Sequence, residues 1–244
     1  MDEEKRIEEL RDVKQILDDA NVKYWLDCGT LLGAVRDKRF ILLDTDTDLG
    51  AMCIEAHKII EKIPEIEQKG FKVFVGDFGI CMKRDTVPIT ICLYRSKGDQ
   101  AWTIIHKVEA SKFKEVILWH IKELANRILY RNLSSKTTIK EKIAFALIPN
   151  FAGHIIRKFL WKAYGWFGGK YSAYVIPKFY FENLDSMTFY NMTFNVPSHV
   201  HDYLSMRYGK DWMKPDPNWD GSNDGAINNT FDIGKREELS IFEC

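Results

Sequence analysis

Apolar positions along the chain switch between helical and strand spacing, and this pattern predicts a mixed sheet with helices packed on it. Residues 4 to 20 repeat apolar side chains at helical spacing, and the stretch from Val22 to Asp27 indicates a short strand. Leu31 to Arg36 suits a short helix, whereas Phe40 to Leu43 has strand character and leads into a run of aspartates. Three later segments alternate like strands of one sheet: Phe71 to Val75, Gly79 to Lys83 and Ile89 to Tyr94.

The rest of the chain divides by composition. A helix from His57 to Ile63, closed by Pro64, precedes the three strands, and another helix is predicted near His201 to Tyr208. The segment between Trp102 and Lys170 is mostly helical, aromatic and basic, with 13 Lys and Arg against 4 Asp and Glu. We therefore expect an α+β protein with a core at 1–101, a helical basic insertion at 102–170 and a carboxyl-terminal region at 171–244 that packs on the core.

Charge and cysteine usage narrow the function classes. Lys plus Arg and Asp plus Glu both number 35, which gives no reason to expect a nucleic-acid-coating protein. The five cysteines are scattered without a C-x-x-C pair, so we expect neither zinc nor a disulfide framework, but a reducing cytosol. The start of the chain is acidic and lacks a signal-peptide core, and the apolar runs are far shorter than the ~18 residues that span a bilayer. These features predict a cytoplasmic protein.

The basic middle of the chain is open to three interpretations. It could bind an anionic acceptor such as a phosphorylated lipid-linked glycan, or contact an anionic membrane surface at the inner face of the membrane. Its tryptophans suit sugar stacking or an interfacial position. The third interpretation is a helical subdomain that buries its aromatic side chains and exposes its lysines.

The candidate chemistry begins with Asp44, Asp46 and Asp48. Residues at i, i+2 and i+4 of a strand project from one face, so we expect three carboxylates on the same side. Like charges at this spacing raise one another's pKa unless a cation binds between them. Hard oxygen ligands suit Mg²⁺ or Mn²⁺ and leave coordination positions for substrate phosphates. A solvent-facing strand or turn with scattered aspartates is the simpler alternative.

An upstream glycine turn strengthens the prediction of a phosphate-handling site. Gly29 and Thr30 open a short helix whose free backbone amides can hold a phosphate, shortly before the carboxylates. Gly33 lies within the same helix, where a glycine also permits close packing. Arg36 could clamp a phosphate through its planar guanidinium, or form a surface ion pair.

These residues carry a resemblance to a known family. The run from Tyr24 to Arg36, with its Asp-Cys-Gly-Thr-Leu-Leu-Gly core, and then Asp44 to Gly50, closely resembles the LicD and fukutin-related family of the polymerase-β-like nucleotidyltransferase superfamily. A second, downstream match covers Phe194 to Ser198 and Tyr203 to Met213, which is similar to the carboxyl-terminal signature of that family.

The resemblance implies a polymerase-β-like sheet and a metal held by Asp46 and Asp48 with Asp44 beside them. It also implies transfer of a substituted phosphate, of the phosphocholine or phosphoribitol type, from a CDP-activated alcohol to a glycan hydroxyl. The alternatives are a nucleotidyltransferase that moves NMP from an NTP, and a non-catalytic glycan- or nucleotide-binding relative. One departure bears on activity: the family usually carries a further acid on a neighbouring strand, where this chain has Thr90.

Overall fold

The protein is an α+β structure built on an eight-stranded mixed sheet, seen in a computed structural model that describes residues 2–42, 44–107, 112–130, 133, 149–236 and 239–241. The strands of the main sheet are β1 (Tyr24–Leu26), β2 (Thr47–Met52), β3 (Lys72–Gly76), β4 (Gly79–Lys83), β5 (Ile89–Lys97), β6 (Gln100–Lys107), β7 (Lys170–Pro177) and β10 (Ile227–Asn228). A separate hairpin joins β8 (Asp185–Phe189) to β9 (Met192–Val196).

Helices flank this sheet in the described parts of the chain. They are α1 (Glu3–Asp19), α2 (Cys28–Arg36), α3 (Ala56–Glu61), α4 (Ile63–Gln68), α5 (Lys112–Leu129), α6 (Asn150–Trp166), α7 (Phe179–Glu182) and α8 (Val200–Tyr208). None of them is long and apolar enough to cross a membrane.

The strand order places β2 and β5 at the centre of the sheet. The order is β1-β2-β5-β6-β7-β10, and β4 also pairs with β5 and carries β3. The β2 and β5 strands are parallel, and the other pairings are antiparallel. The sheet is therefore mixed, as the sequence predicts.

Most predicted elements are confirmed, with two corrections in the amino-terminal half. Pro64 does not close the preceding helix; it lies in the first turn of α4, where its missing N–H leaves no helical hydrogen bond unmade. The strand character predicted from Phe40 through the aspartate segment begins only at Thr47, because residues 40–42 form no strand. Asp44 and Asp46 thus lie in the chain that leads into β2, not on a strand.

The boundary predicted at residue 102 falls within a strand. The β6 strand runs from Gln100 to Lys107 and pairs along its whole length with β7, from Lys170 to Pro177. The helical part of this region therefore lies in the chain between β6 and β7. Because these two strands are paired in the main sheet, the helical part leaves and rejoins the sheet at neighbouring strands.

The packing of Trp25 on β1 explains why a glycine, Gly50, ends the aspartate motif. The Trp25 side chain is fully buried and stacks on Phe181 with ring centroids 4.3 Å apart. A Cβ atom at Gly50 would lie 2.3 Å from the Trp25 Nε1 atom, a distance that no side chain tolerates. Gly50 therefore lets the indole pack directly across β2, beneath the segment that carries Asp48.

A buried carboxylate ties the helical region to the sheet. Asp77 is almost fully buried and forms ion pairs with Arg157 on α6, at 3.3 Å, and with Arg236, at 2.6 Å. The Tyr130 hydroxyl also donates a hydrogen bond to Asp77. The α5 and α6 helices pack on each other through Leu118, Ala125, Trp161 and Tyr164.

The structure confirms the expectation of reduced cysteines only in part. Cys28 and Cys92 are reduced thiols. Cys53 is disulfide-bonded, so the expectation of reduced cysteines is wrong for that residue.

Candidate active site

Asp48 lies at the amino end of β2, between the neighbouring strands β1 and β5. Its backbone N–H donates a hydrogen bond to the Thr30 hydroxyl, at 2.8 Å, and the residue is 9% exposed. Asp44 and Asp46 reach the same place from the loop before the strand, and both are half-buried. The three residues come together although only Asp48 belongs to the strand.

The carboxylates lie close enough to perturb one another. Burial, the charge of Asp46 and a hydrogen bond with Asp46 together raise the pKa of Asp44 to about 6, against the opposing effect of Arg6. Burial also raises the pKa of Asp48 well above its usual range, and the charges of Asp46, Asp27 and Asp44 add to that effect. This corner of the sheet therefore concentrates negative charge that an added cation would relieve.

Arg6 supplies part of the counter-charge, and the sequence did not single it out. Its Nη2 atom lies 3.6 Å from Oδ2 of Asp44, its Nε donates to the Thr47 hydroxyl at 2.9 Å, and it also donates to the Asp46 carbonyl. Arg6 is 2% exposed because it shares the buried face of α1 with Leu10. A charged residue on the apolar stripe of that helix is the signal that could have identified it.

The start of α2 faces the same carboxylates. A Cβ atom at Gly29 would lie 3.0 Å from Oδ2 of Asp44, so the absence of a side chain lets the Asp44 carboxylate approach the helix start. That Oδ2 atom is buried and accepts no hydrogen bond. The Thr30 side chain is fully buried and its hydroxyl holds the Asp48 amide, so it orients Asp48 directly.

Gly33 and Arg36 lie further along α2. A Cβ atom at Gly33 would lie 2.6 Å from the Arg39 carbonyl oxygen, so this glycine allows close packing of the chain that follows the helix. The Arg36 guanidinium makes two hydrogen bonds to the Asp37 carboxylate, at 2.9 and 2.8 Å. Their roles in substrate binding stay predictions.

A buried network around Asp27 lies directly behind the acids and was not expected from the sequence. Asp27 caps α2 by accepting a hydrogen bond from the Cys28 amide at 2.8 Å. Its carboxylate also accepts from the hydroxyls of Tyr94 and Tyr203, each at 2.7 Å, and from Arg207 Nη1 at 3.1 Å. The network joins the helix start, β5 and the downstream signature region in α8.

Arg207 links this network to a second buried acid. Its Nε donates to Oδ2 of Asp224 at 2.9 Å, and the arginine and both carboxylates are at most 4% exposed. One oxygen of Asp224 accepts a hydrogen bond from the Ala226 amide at 2.8 Å, as an aspartate in a turn does. The other oxygen accepts the hydrogen bond from Arg207.

Thr90 is the residue at which the resemblance implies a further acid. In the parallel pairing of β2 with β5, Thr90 lies directly beside Asp48, so the two side chains project from the same face of the sheet. Thr90 is half-buried. The neighbour of Asp48 on β5 is therefore a hydroxyl, not a carboxylate.

A divalent cation at these acids would need further ligands. In the described part of the chain, no three His, Cys, Asp or Glu side chains are arranged to hold a metal ion by themselves. Mg²⁺ is commonly bound by one or two carboxylates together with water and substrate phosphates. The buried Asp44 oxygen without a hydrogen bond and the raised pKa values of Asp44 and Asp48 are the features expected of such a partial site.

Two of the solved structures that are similar to this chain are structures of one protein, and both similarities are low. The solution structure of the antibiotic-resistance factor ANT(2'')-Ia is 13% identical, with a TM-score of 0.34, and the match covers 67% of this chain and 95% of that one. The crystal structure of ANT(2'')-Ia in complex with adenylyl-2''-tobramycin is 12% identical, with a TM-score of 0.33, over 66% and 99% of the two chains. These values are too low to support a conclusion about function.

Two relatives match part of the sequence. The uncharacterized protein RP689 of Rickettsia prowazekii is 37% identical over 75 residues, and the uncharacterized protein RT0683 of Rickettsia typhi is 36% identical over 64 residues. These matches cover 30% and 26% of this chain. The chain spans only 28% and 21% of the lengths of these relatives.

A family model describes the part of the chain that contains the site. The model for the LicD/FKTN/FKRP nucleotidyltransferase domain matches residues 21–124, which include α2, the three aspartates and the central strands. This match confirms the resemblance seen in the sequence and the expected fold class. Residues 21–124 are therefore similar to the nucleotidyltransferase domain of the LicD and fukutin-related family.

Proposed function

We propose that this protein is a metal-dependent phosphotransferase that moves a phospho-alcohol from a CDP-activated donor to a hydroxyl of a glycan or lipid-linked glycan. The observation that carries the proposal is the meeting of Asp44, Asp46 and Asp48 at the start of α2, within a LicD-family domain. The phosphocholine or phosphoribitol type of cargo comes from the family resemblance.

Asp46 and Asp48 are the residues that would hold Mg²⁺ or Mn²⁺. Such an ion neutralises the charge that develops on the phosphate oxygens during transfer. Thr30 fixes the backbone of Asp48, and Arg6 fixes the backbone around Asp46 and Thr47. The protein thus holds the loop and the strand in one arrangement before substrate arrives, as electrostatic catalysis requires.

The other candidate residues would act on the substrates. Gly29 lies at the amino end of α2, where free backbone amides and the helix dipole favour a donor phosphate. Asp44 lies against Gly29 and is the candidate for accepting the proton of the attacking hydroxyl. In-line attack would then release CMP while the phospho-alcohol passes to the acceptor.

A panel of CDP-alcohols tests this reaction. Incubated with Mg²⁺ and crude glycan acceptors, the protein is expected to release CMP from at least one CDP-alcohol, and release should depend on both the metal and the acceptor. Chromatography of the nucleotide products is the measurement. Pyrophosphate release from an NTP would instead assign NMP transfer, and Mg²⁺ and CDP-alcohol binding without turnover would assign a non-catalytic relative.

The position of Thr90 gives a second test of the metal site. Thr90→Asp places a carboxylate beside Asp48, and we expect Mn²⁺, in the presence of CDP, to bind at least about tenfold more tightly, because one close charge contributes more than 1.4 kcal/mol. Electron paramagnetic resonance of free Mn²⁺ measures this affinity. Thr90→Asn is the matched neutral control, and equal affinities for the two variants would place the metal away from Asp48.

A further inference from the structure

The outer face of α6 is apolar and exposed. Ile155, Phe159 and Trp166 are 63%, 58% and 74% exposed, and their spacing of four and seven residues places them on one side of the helix. The rings of Phe159 and Trp166 contact each other edge to face, with centroids 6.0 Å apart. The core of the helical region lies on another side, through Trp161 and Tyr164. The α6 helix therefore has one buried apolar side and a second one that no described residue covers.

The α5 helix repeats this arrangement. Val116, Trp119 and Leu124 are 54%, 51% and 42% exposed, whereas Leu118 and Ala125 are buried against α6. Of the twelve large hydrophobic side chains that are exposed in the described residues, eight lie on α5, on α6 or directly after it. These eight are Val116, Trp119, Leu124, Ile155, Ile156, Phe159, Trp166 and Phe167. We call the side of α6 that carries Ile155, Phe159 and Trp166 the apolar face. Such concentration in one region marks an interaction surface.

The charges of the same helices indicate what this face binds. The segments 112–130 and 149–170 contain eight Lys and Arg against two Glu. Lys114, Lys158, Lys162 and Lys170 are exposed, whereas one of the two glutamates, Glu123, pairs with Arg127 at 3.1 Å. A partner must therefore present negative charge beside an apolar layer. A second copy of this chain fits poorly because its face would carry the same positive charge.

We propose that the apolar face of α6 is a peripheral docking surface for membranes that contain anionic phospholipids. Exposed Trp and Phe side chains prefer the depth of the lipid headgroups, and lysines beside them attract the lipid phosphates. The side chains of Phe159 and Trp166 enter the interface, and the exposed Lys158 and Lys162 on the same helix attract the headgroups. The surface belongs to the helical region and not to the aspartate site, so it is independent of the proposed reaction.

Vesicle sedimentation of the 244-residue chain tests this surface. We expect the protein to pellet at low salt with vesicles of phosphatidylcholine and phosphatidylglycerol, and not with phosphatidylcholine alone. The Phe159→Ser/Trp166→Ser variant should bind at least about tenfold more weakly because it removes the apolar anchors. The Lys158→Gln/Lys162→Gln variant should lose about fivefold for each lysine and depend less on salt.

Two exposed apolar residues outside the face provide the matched control. Ile54 and Phe179 are 67% and 50% exposed, and the Ile54→Ser/Phe179→Ser variant should bind as the wild type does. Circular dichroism verifies that each variant is folded. Absence of pelleting with anionic vesicles, or equal binding by the Phe159/Trp166 variant, would overturn the proposal. A dimer that the same substitutions dissociate, without vesicle binding, would assign the face to a second copy.

Discussion

Asp48→Asn is expected to lower turnover at least about a hundredfold while the protein keeps its fold. Asn has the shape of Asp but no charge, so the variant loses a metal ligand and the electrostatic stabilisation that depends on it. The folded structure should tolerate the change, because burial and the neighbouring acids raise the pKa of Asp48 and make its charged form unfavourable. The free energy of unfolding of the wild type should fall as the pH rises from the ordinary pKa of aspartate through that raised pKa. The free energy of unfolding of Asp48→Asn should not show this fall.

Three measurements separate this effect from damage to the structure. CMP release from the accepted CDP-alcohol gives the loss of turnover, electron paramagnetic resonance gives the loss of Mn²⁺ affinity, and thermal unfolding shows that the fold persists. Asp46→Asn should behave in the same way. Asp185→Asn, at an exposed site on the β8–β9 hairpin, is the control and should change none of the three. Unchanged turnover in either Asp46→Asn or Asp48→Asn would refute the assignment of these two residues.

The main strands could be predicted from the sequence because each combines strand spacing with turn residues at its ends. The segments that form β3, β4 and the first part of β5 have these features, and the structure confirms them. The prediction failed where tertiary contacts decide local structure. Asp44 and Asp46 have the spacing of a strand, but Arg6 binds the Asp46 carbonyl and the Thr47 hydroxyl, and β2 begins only at Thr47.

The site could be located from the sequence only in outline. Asp44, Asp46, Asp48 and Gly29 lie within a short stretch of chain, so spacing alone places them together. Arg207 lies about 180 residues beyond Asp27, and no local pattern relates them. A charged residue on the apolar side of a helix signals that a buried partner exists, but it does not say which residue that partner is.

Thr90 shows what the structure adds to such a motif. From the sequence, the threonine counted as a departure from the family only if the strand was aligned correctly. The register of β2 against β5 establishes that Thr90 is the neighbour of Asp48. In the proposed metal site, further oxygen ligands would therefore come from the loop, where Asp44 lies against Gly29, or from the phosphates of the substrate.

Arg207→Met is expected to lower the free energy of unfolding by about 3–5 kcal/mol, because it leaves two buried carboxylates without their cation. Asp27 and Asp224 both depend on this arginine, through contacts of 3.1 and 2.9 Å to Nη1 and Nε. The methionine keeps much of the apolar volume, so the loss reports charge more than packing. Urea unfolding followed by circular dichroism measures the difference from the wild type.

Two further variants identify the cause of that loss. Arg39→Met removes an exposed ion pair to Glu3, and such pairs contribute about 1 kcal/mol or less, so this variant should stay close to the wild type. Adding Asp224→Asn to Arg207→Met removes one of the uncompensated charges and should recover part of the stability, a coupling that independent sites would not show. If Arg207→Met itself unfolds within about 1 kcal/mol of the wild type, the network does not hold the signature region on the aspartate site.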